Sequence, residues 1–232
     1  MDAKQQTQSV QINSPPNFNG VFITGTDTDV GKTFVACCIA ITLIKQGYSV
    51  TPRKPIASGC IRQINNTLLS EDALLLQQAS QSPDSLHIIC PYQFEPAISP
   101  QQAIQEANLN ITIQNLTQAC ETDNNSIALI EGAGGFYSPI ALNGLNKDLA
   151  IQLQYPIILV VANRIGCINQ TLLTIKAIEY SGLKLHSIIV NHITNDLFNY
   201  AEGLNHYTKT PIFNVLHSAN KKPQFIKNWK IL

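Results

Sequence analysis

The sequence predicts an α/β domain: a doubly wound, mostly parallel sheet with helices on both faces. Two observations carry this. The apolar runs that read as strands are continuous rather than alternating, which marks strands covered on both faces. They also alternate with helix-like stretches, the pattern of βαβ units. The length bounds the size, because 232 residues fit one such domain with its own core and no need of disulfide or metal staples.

The elements follow in order. Residues 21–24 (VFIT) form the first strand-like run, and residues 32–46 read as a helix ended by Gly47. Residues 48–56 are strand-like at their start, and residues 71–80 read as a short helix. Residues 126–130 form an apolar run closed by Glu131 and Gly132, and residues 156–162 (PIILVVA) are the clearest buried strand. Residues 170–180 look helical and stop before Gly182. Residues 186–190 are another buried strand, and residues 211–216 a weaker last one. No internal repeat or long linker interrupts the pattern, so residues 19–232 read as a single domain. Residues 1–18, mostly polar, read as a mobile leader.

Composition excludes several functions. Charged residues make up 13% of the chain, against about 25% in typical domains; amides fill the gap, with 21 Asn and 19 Gln. Lys and Arg total 15 and Asp and Glu total 15, a net charge of zero. There is no basic excess to gather phosphate backbones, so nucleic acid is not an expected partner. No apolar stretch is long enough to span a membrane. The N-terminus lacks the apolar core of a secretory signal and the arginines of a transit peptide, so a cytoplasmic protein is expected. The six cysteines, at 37, 38, 60, 90, 120 and 167, form no CxxC pair and have no zinc-ligand spacing. Cys37 and Cys38, adjacent in an apolar helical run, read as small buried hydrophobes, and Cys167 is set apart by its neighbours. Trp229, the lone tryptophan, leaves two readings of residues 221–232: a tail anchored to the core, or a partly ordered terminus.

Residues 25–33 read GTDTDVGKT, directly after the first strand and before the first helix. That is the context of a phosphate-binding loop, and it points to a P-loop nucleotide hydrolase fold. Gly31 permits the tight turn that aims successive N–H groups inward at phosphate oxygens. The helix N-terminus adds positive potential. Lys32 places a charge on the β and γ phosphates of a nucleoside triphosphate, and the Thr33 hydroxyl is a hard oxygen ligand for Mg²⁺. The loop is a variant of GxxxxGK[ST]: Thr26 stands at the first glycine position, and Gly25 falls one residue early. A switch ATPase would carry a signature lysine where this chain has Asp27, and a GTPase would carry NKxD where this chain has ANRIG (162–166) or VNHIT (190–194). A small-molecule kinase stays open on the loop alone.

Further motifs narrow the choice. GTDTDVGKT, RKPIASG (53–59), SEDALLLQ (70–77), CPYQFEPAISP (90–100), IEGAGGFYSPI (130–140) and ANRIGCINQTLLT (162–174) occur in that order. In order and spacing the chain resembles the dethiobiotin synthetases over about three quarters of its length. The resemblance implies a single-domain homodimeric cyclo-ligase. Such an enzyme converts 7,8-diaminopelargonic acid, CO₂ and ATP into dethiobiotin, ADP and phosphate, with Mg²⁺ as cofactor, through a carbamate and a carbamic–phosphoric mixed anhydride.

A carboxylate at the C-terminal edge of a strand stands where α/β sheets place ligands, and Glu131 is one; Asp72 sits at a helix start. The resemblance makes both Mg²⁺ ligands together with Thr33. It makes Lys54 the catalytic lysine, with Lys32 and Thr28 beside the reacting phosphate and carbamate, and Ser58 a substrate contact. It assigns Asp29, Val30, Gly31, Lys32, Thr33, Phe34, Asp72 and the segment Glu131, Gly132, Ala133 and Gly134 to the nucleotide, and Asn191 and His192 to its base. Gly166, Cys167, Ile168 and Asn169 precede a helix, and free N–H groups there suit a carboxylate. By resemblance they come from the partner subunit and hold the substrate's tail, with Cys167 a bystander.

The chain departs from the family in places. Asn191-His192 stands where Asn-Asp is common, and FNVLH (213–217) replaces a loop of the form LGxxP. Gln101 and Arg164 stand in place of commoner His and Lys residues, Arg keeping the charge with a different donor geometry. Two alternatives remain beside the synthetase: a nucleotide-dependent switch, and an amide-forming synthase of the cobyrinic acid diamide type. The second needs a glutaminase domain for which 232 residues leave no room.

Overall fold

A computed structural model describes residues 19–123, 125–195, 198–217 and 222–231. The leader expected over residues 1–18 lies outside them. The chain opens with β1 (Gly20–Gly25), α1 (Lys32–Lys45) and β2 (Val50–Arg53). Short strands β3 (Ile56–Ala57), β4 (Ile61–Arg62) and β5 (Leu68–Leu69) lead to α2 (Glu71–Ser80) and α3 (Leu86–Ile89). Next come β6 (Tyr92–Gln93), α4 (Pro100–Glu106), α5 (Ile113–Ala119), β7 (Ile127–Gly135), β8 (Pro139–Ala141) and β9 (Gly144–Leu145). The chain closes with α6 (Asn146–Leu153), β10 (Ile157–Ala162), α7 (Cys167–Tyr180), β11 (Leu185–Asn191), a single 3₁₀ turn (Leu204–His206) and β12 (Ile212–Val215).

Six strands form the central sheet in the order β12-β11-β10-β1-β7-β2, and every neighbouring pair is parallel. Alternate residues of each strand feed two cores. Val21, Ile23, Leu129, Ile158 and Val160 face α1, α2 and the C-terminal tail. Phe22, Ala128, Ile130, Leu159 and Val161 face α4, α5, α6 and α7. Helices on both faces explain why the strands are continuously apolar. On one side of β1 the chain runs outward through β10, β11 and β12; on the other it goes first to the edge strand β2 and returns to fill the gap with β7. The phosphate loop therefore leaves the sheet near the point where the winding reverses, the usual ligand site of such folds.

The expected elements are present, with shifted limits. α7 begins at Cys167, three residues before the apolar periodicity starts at 170, with Gly166 at φ +86° as its cap. β7 continues past the apolar run through Glu131 and the glycines to Gly135. Of the two readings of the tail, the structure selects the anchor. Trp229 is buried, its Nε1–H donates to Ser187 Oγ at 3.1 Å, and its carbonyl accepts from Gln46 Nε2 at 2.7 Å. All six cysteines are buried and free.

Candidate active site

The sheet register builds the centre of the site. β2 and β7 pair with Arg53 opposite Ile130, so the next residues, Lys54 and Glu131, are neighbours where β2 ends and β7 runs on. Lys54 Nζ donates to Glu131 Oε1 at 2.6 Å and lies 2.9 Å from Asp72 Oδ2. It also reaches the Gly132 carbonyl at 3.3 Å. Asp72 arrives from the first turn of α2, whose N-cap Ser70 accepts from the Ala73 N–H. Thr33 Oγ1 sits 2.8 Å from Asp72 Oδ1 and 2.8 Å from Glu131 Oε1; its single proton serves one carboxylate at a time.

These charges are strongly coupled. Glu131 is 0% exposed and Lys54 4%. Burial and the neighbouring Asp72 push the Glu131 carboxyl up, against the opposing pull of Lys54. Burial works to lower Lys54, but the two carboxylates win and hold its ammonium above the ordinary lysine value. Burial opposes ionisation of Asp72 as well, yet Lys54 and the Thr33 hydroxyl keep its carboxyl below the usual range. Lys32 is pulled down to about 8 by burial and by the nearby Lys54. Its Nζ donates to the Asp27 carbonyl at 2.9 Å across its own loop.

A cleft of about 480 Å³ opens above this cluster. Of the candidates, Thr28, Asp29, Gly31, Lys32, Thr33, Phe34, Lys54, Ser58, Asp72, Glu131, Ala133 and Gly134 line it together. Val30 lies buried beneath the loop. Ala57 and Leu75 also line the cleft; apolar residues in a strand and a helix carry no sequence signal that would single them out.

The donor set suits a small hard cation. Two carboxylates and a hydroxyl converge, and Glu131 Oε2 is buried without a hydrogen-bond partner. Such all-oxygen ligands match Mg²⁺ rather than zinc. Among the described residues no group of three or more His, Cys, Asp or Glu side chains forms a metal centre; here the third oxygen is that of Thr33.

The expected base-binding residues have other contacts. Asn191 Nδ2 donates to the Val30 carbonyl at 3.0 Å, inside the phosphate loop, so one of its two amide N–H donors holds that loop. Asn163 Nδ2 donates to the Phe198 carbonyl at 2.7 Å, and Asn163 Oδ1 accepts from the Tyr200 N–H at 2.8 Å. That fixes the Asn163 amide, so His192 Nδ1, 3.1 Å from Nδ2, is the acceptor. His192 Nε2 then carries the hydrogen and donates to Asn214 Oδ1 at 3.0 Å, so the departing residues at 192 and 214 are bonded to each other. Gln101 donates to the Ala141 carbonyl at 3.1 Å, and Arg164 reaches Asp27 at 3.3 Å on the surface.

Gly166, Cys167, Ile168 and Asn169 do not line this chain's own cleft. Cys167 is buried in the core, and its N–H is already bonded to the Arg164 carbonyl at 3.1 Å. The sequence reading missed Asn146, which grips the glycine segment after Glu131. It lies outside the motifs, and the start of its helix was not read from the sequence.

A glycine-bearing loop between strand and helix, a lysine and a threonine at the helix start, and acidic side chains facing them define a P-loop nucleotide-binding α/β protein. A family model described as an AAA domain matches residues 19–221. An ATP-dependent dethiobiotin synthetase of Ruthia magnifica is 36% identical over 203 residues, covering 87% of this chain and 93% of that protein. The enzyme of the same name from Vesicomyosocius okutanii is 37% identical over 83% of this chain and 88% of its own length. That from Aeromonas hydrophila is 36% identical over 79% and 82%. The chain belongs to the ATP-dependent dethiobiotin synthetase family. Among solved structures it resembles a ParA family ATPase from Chlorobium tepidum, with a TM-score of 0.51 and 14% identity over 88% of this chain and 86% of that one. It also resembles a chain of the MinC:MinD complex of Aquifex aeolicus, with a TM-score of 0.53 and 17% identity over 89% and 87%. Those likenesses concern the fold alone.

Proposed function

We propose that this chain is itself a dethiobiotin synthetase. It carboxylates 7,8-diaminopelargonic acid with CO₂ and closes the cyclic urea at the expense of ATP, releasing ADP and phosphate. The observation that carries the reading is Lys54, a buried ammonium between Glu131 and Asp72 that faces Lys32 and Thr33 across one cleft.

The chemistry asks for positioning and charge neutralisation. Lys32 and the loop N–H groups hold the β and γ phosphates. Thr33, Asp72 and Glu131 are the residues that would hold Mg²⁺, which supplies neutralisation of the phosphate charge. Lys54 donates to the carbamate formed from CO₂ and one substrate amine, and to the γ-phosphate it attacks. Fixed donors of this kind act most strongly where water is excluded. Thr28 stands beside the reacting groups. The second amine then displaces phosphate from the mixed anhydride and closes the ring, with Ser58 orienting the substrate.

The substrate's carboxylate tail is held by residues 166–169 of a partner subunit in a homodimer. Exposed apolar side chains near that segment support an interface: Ile165 is 84% exposed and Leu173 65%. The enzyme works in the cytoplasm; no helix among the described residues is long and apolar enough to cross a membrane.

The test is ADP release from ATP and Mg²⁺ with bicarbonate, with and without the diamine. Release that requires the diamine supports the synthetase; equal release without it sinks the reading. Repeating the assay with GTP and CTP reads the base pocket: one N–H of Asn191 is spent on the Val30 carbonyl, and equal use of all three nucleotides would show that the pocket does not read adenine.

A further inference from the structure

Asn146 is fully buried at the first position of α6. Its Nδ2 donates to the Ala133 carbonyl at 2.7 Å and to the Gly135 carbonyl at 3.0 Å. Its Oδ1 is buried without a partner. The amide lies directly under Gly132, where a Cβ would meet Oδ1 at 2.5 Å. An apolar side chain of similar volume would avoid the unpaired oxygen, and would leave both carbonyls undirected.

The direction of those carbonyls matters to the cleft. No peptide bond among the described residues is cis. In a trans peptide the carbonyl of residue 133 and the N–H of residue 134 point in opposite directions. With the Ala133 carbonyl drawn toward Asn146, the Gly134 N–H is turned the other way, and Gly134 lines the phosphate cleft. The groups on either side are otherwise engaged. The Gly132 carbonyl faces Lys54 Nζ at 3.3 Å, and the Gly135 N–H donates to Ser138 Oγ at 2.8 Å. Gly134 adopts φ +72°, and a Cβ there would lie 3.7 Å from Thr28 Oγ1, which puts it across the cleft from the phosphate loop.

The geometry points to Asn146 as a positioning residue that aims the Gly134 N–H at the terminal phosphate of a bound nucleoside triphosphate. It rests on the nucleotide reading of the cleft and not on the identity of the acceptor. Asn146 touches no ligand; it acts through the backbone it grips, as outer groups orient inner ones at other sites.

The test compares wild type, Asn146→Leu and Asn146→Ser as full chains, at a temperature where circular dichroism shows each folded. Calorimetry measures binding of Mg²⁺-AMPPNP and of ADP. The N–H addresses the terminal phosphate, so AMPPNP affinity is expected to fall about 10- to 100-fold in either variant. ADP affinity should change by less than about 3-fold, and kcat should fall with little change in KM for the diamine. Leu149→Ala, in the core side of the same helix, controls for simple destabilisation and should leave the AMPPNP-to-ADP ratio alone. Equal loss of both ligands, wild-type binding of both, or the same split in Leu149→Ala overturns the assignment. Should wild type bind AMPPNP yet form no dethiobiotin, the synthetase reading fails while the role of Asn146 stands on the binding ratio. Should wild type bind neither nucleotide, both fall.

Discussion

Lys54 Nζ and Glu131 Oε1 lie 2.6 Å apart with almost no access to solvent. Lys54→Met leaves Glu131 buried without its cation and is expected to cost about 3–5 kcal/mol. Glu131→Leu leaves Lys54 its second partner, Asp72 at 2.9 Å, and is expected to cost less. The double variant should recover most of the loss while remaining inactive, since similar-sized apolar residues often replace a buried pair without penalty. Urea denaturation of the four proteins checks this. Additive losses would show that the two residues do not act as a pair in the fold.

Gly31 holds φ +84°, and a Cβ there would meet Asn191 Nδ2 at 2.1 Å, closer than any real contact. Gly31→Ala therefore combines backbone strain of about 1–2 kcal/mol with displacement of the side chain that grips the loop at Val30. Nucleotide affinity is expected to fall at least about 10-fold, because small misplacements are costly at such sites. Adding Asn191→Ala relieves the contact but not the strain, so titration of the double variant should show no return to wild-type affinity.

Burial raises all six thiols. Cys38 is pushed up to about 11 and Cys90 to about 12. In the unfolded chain they ionise from an ordinary value near 9.0, so above that pH the unfolded state binds fewer protons than the folded one. The thiols' contribution to stability is then flat below pH 9 and falls above it, by up to about 1.4 kcal/mol per pH unit for each thiol still protonated in the fold. Lys32, held at about 8 in the fold, works the other way and adds stability as the pH rises past 8. Denaturation of a Lys32→Met variant under reducing conditions from pH 7 to 10 isolates the thiols and checks the sign. Thiol reagents should label the folded protein slowly and all six sites quickly after unfolding.

Trp229 joins the tail to α1 and β11 through Gln46 and Ser187. Trp229→Ala is expected to cost about 3–5 kcal/mol, as large aromatic truncations in cores do. Trp229→Phe keeps most of the bulk and loses the hydrogen bond to Ser187, at about 1 kcal/mol. Thermal unfolding followed by circular dichroism orders the two variants. A Trp229→Ala protein as stable as wild type would show that the tail adds nothing to the core.

Much of this was legible in the residues. The parallel sheet followed from apolar runs such as PIILVVA, because strands buried on both faces need no polar alternation. The phosphate loop followed from its place at a strand end; Glu131 was expected to close its strand, but β7 runs on past it to Gly135. α4, α5 and α6 were not read from the sequence. α4 and α5 span only 7 residues each, too short for a 3.6-residue period to show. α6 carries Asn, Lys, Asp and Gln among its 8 residues, which masks its apolar face. β7 ran on through EGAGG because its backbone still pairs with β1, ending with Gly135 opposite Gly25 across a bulge, and no side-chain pattern records that. Asn146 and the second duty of Asn191 escaped for a related reason. Asn191 acts on a carbonyl 161 residues away and Asn146 on carbonyls 13 and 11 residues back, and sequence spacing does not show which amide will fold against which loop.

The central claim is carboxylation at the Lys54 centre, and isotope incorporation tests it most directly. Wild type and Lys54→Ala are incubated with ATP, Mg²⁺, diaminopelargonate and ¹³C-bicarbonate, and the product is read by mass. The account predicts dethiobiotin carrying one heavy carbon from wild type and none from Lys54→Ala. ATP consumed at the same rate with or without the diamine, and no labelled product, would contradict it and leave a nucleotide switch on the same fold.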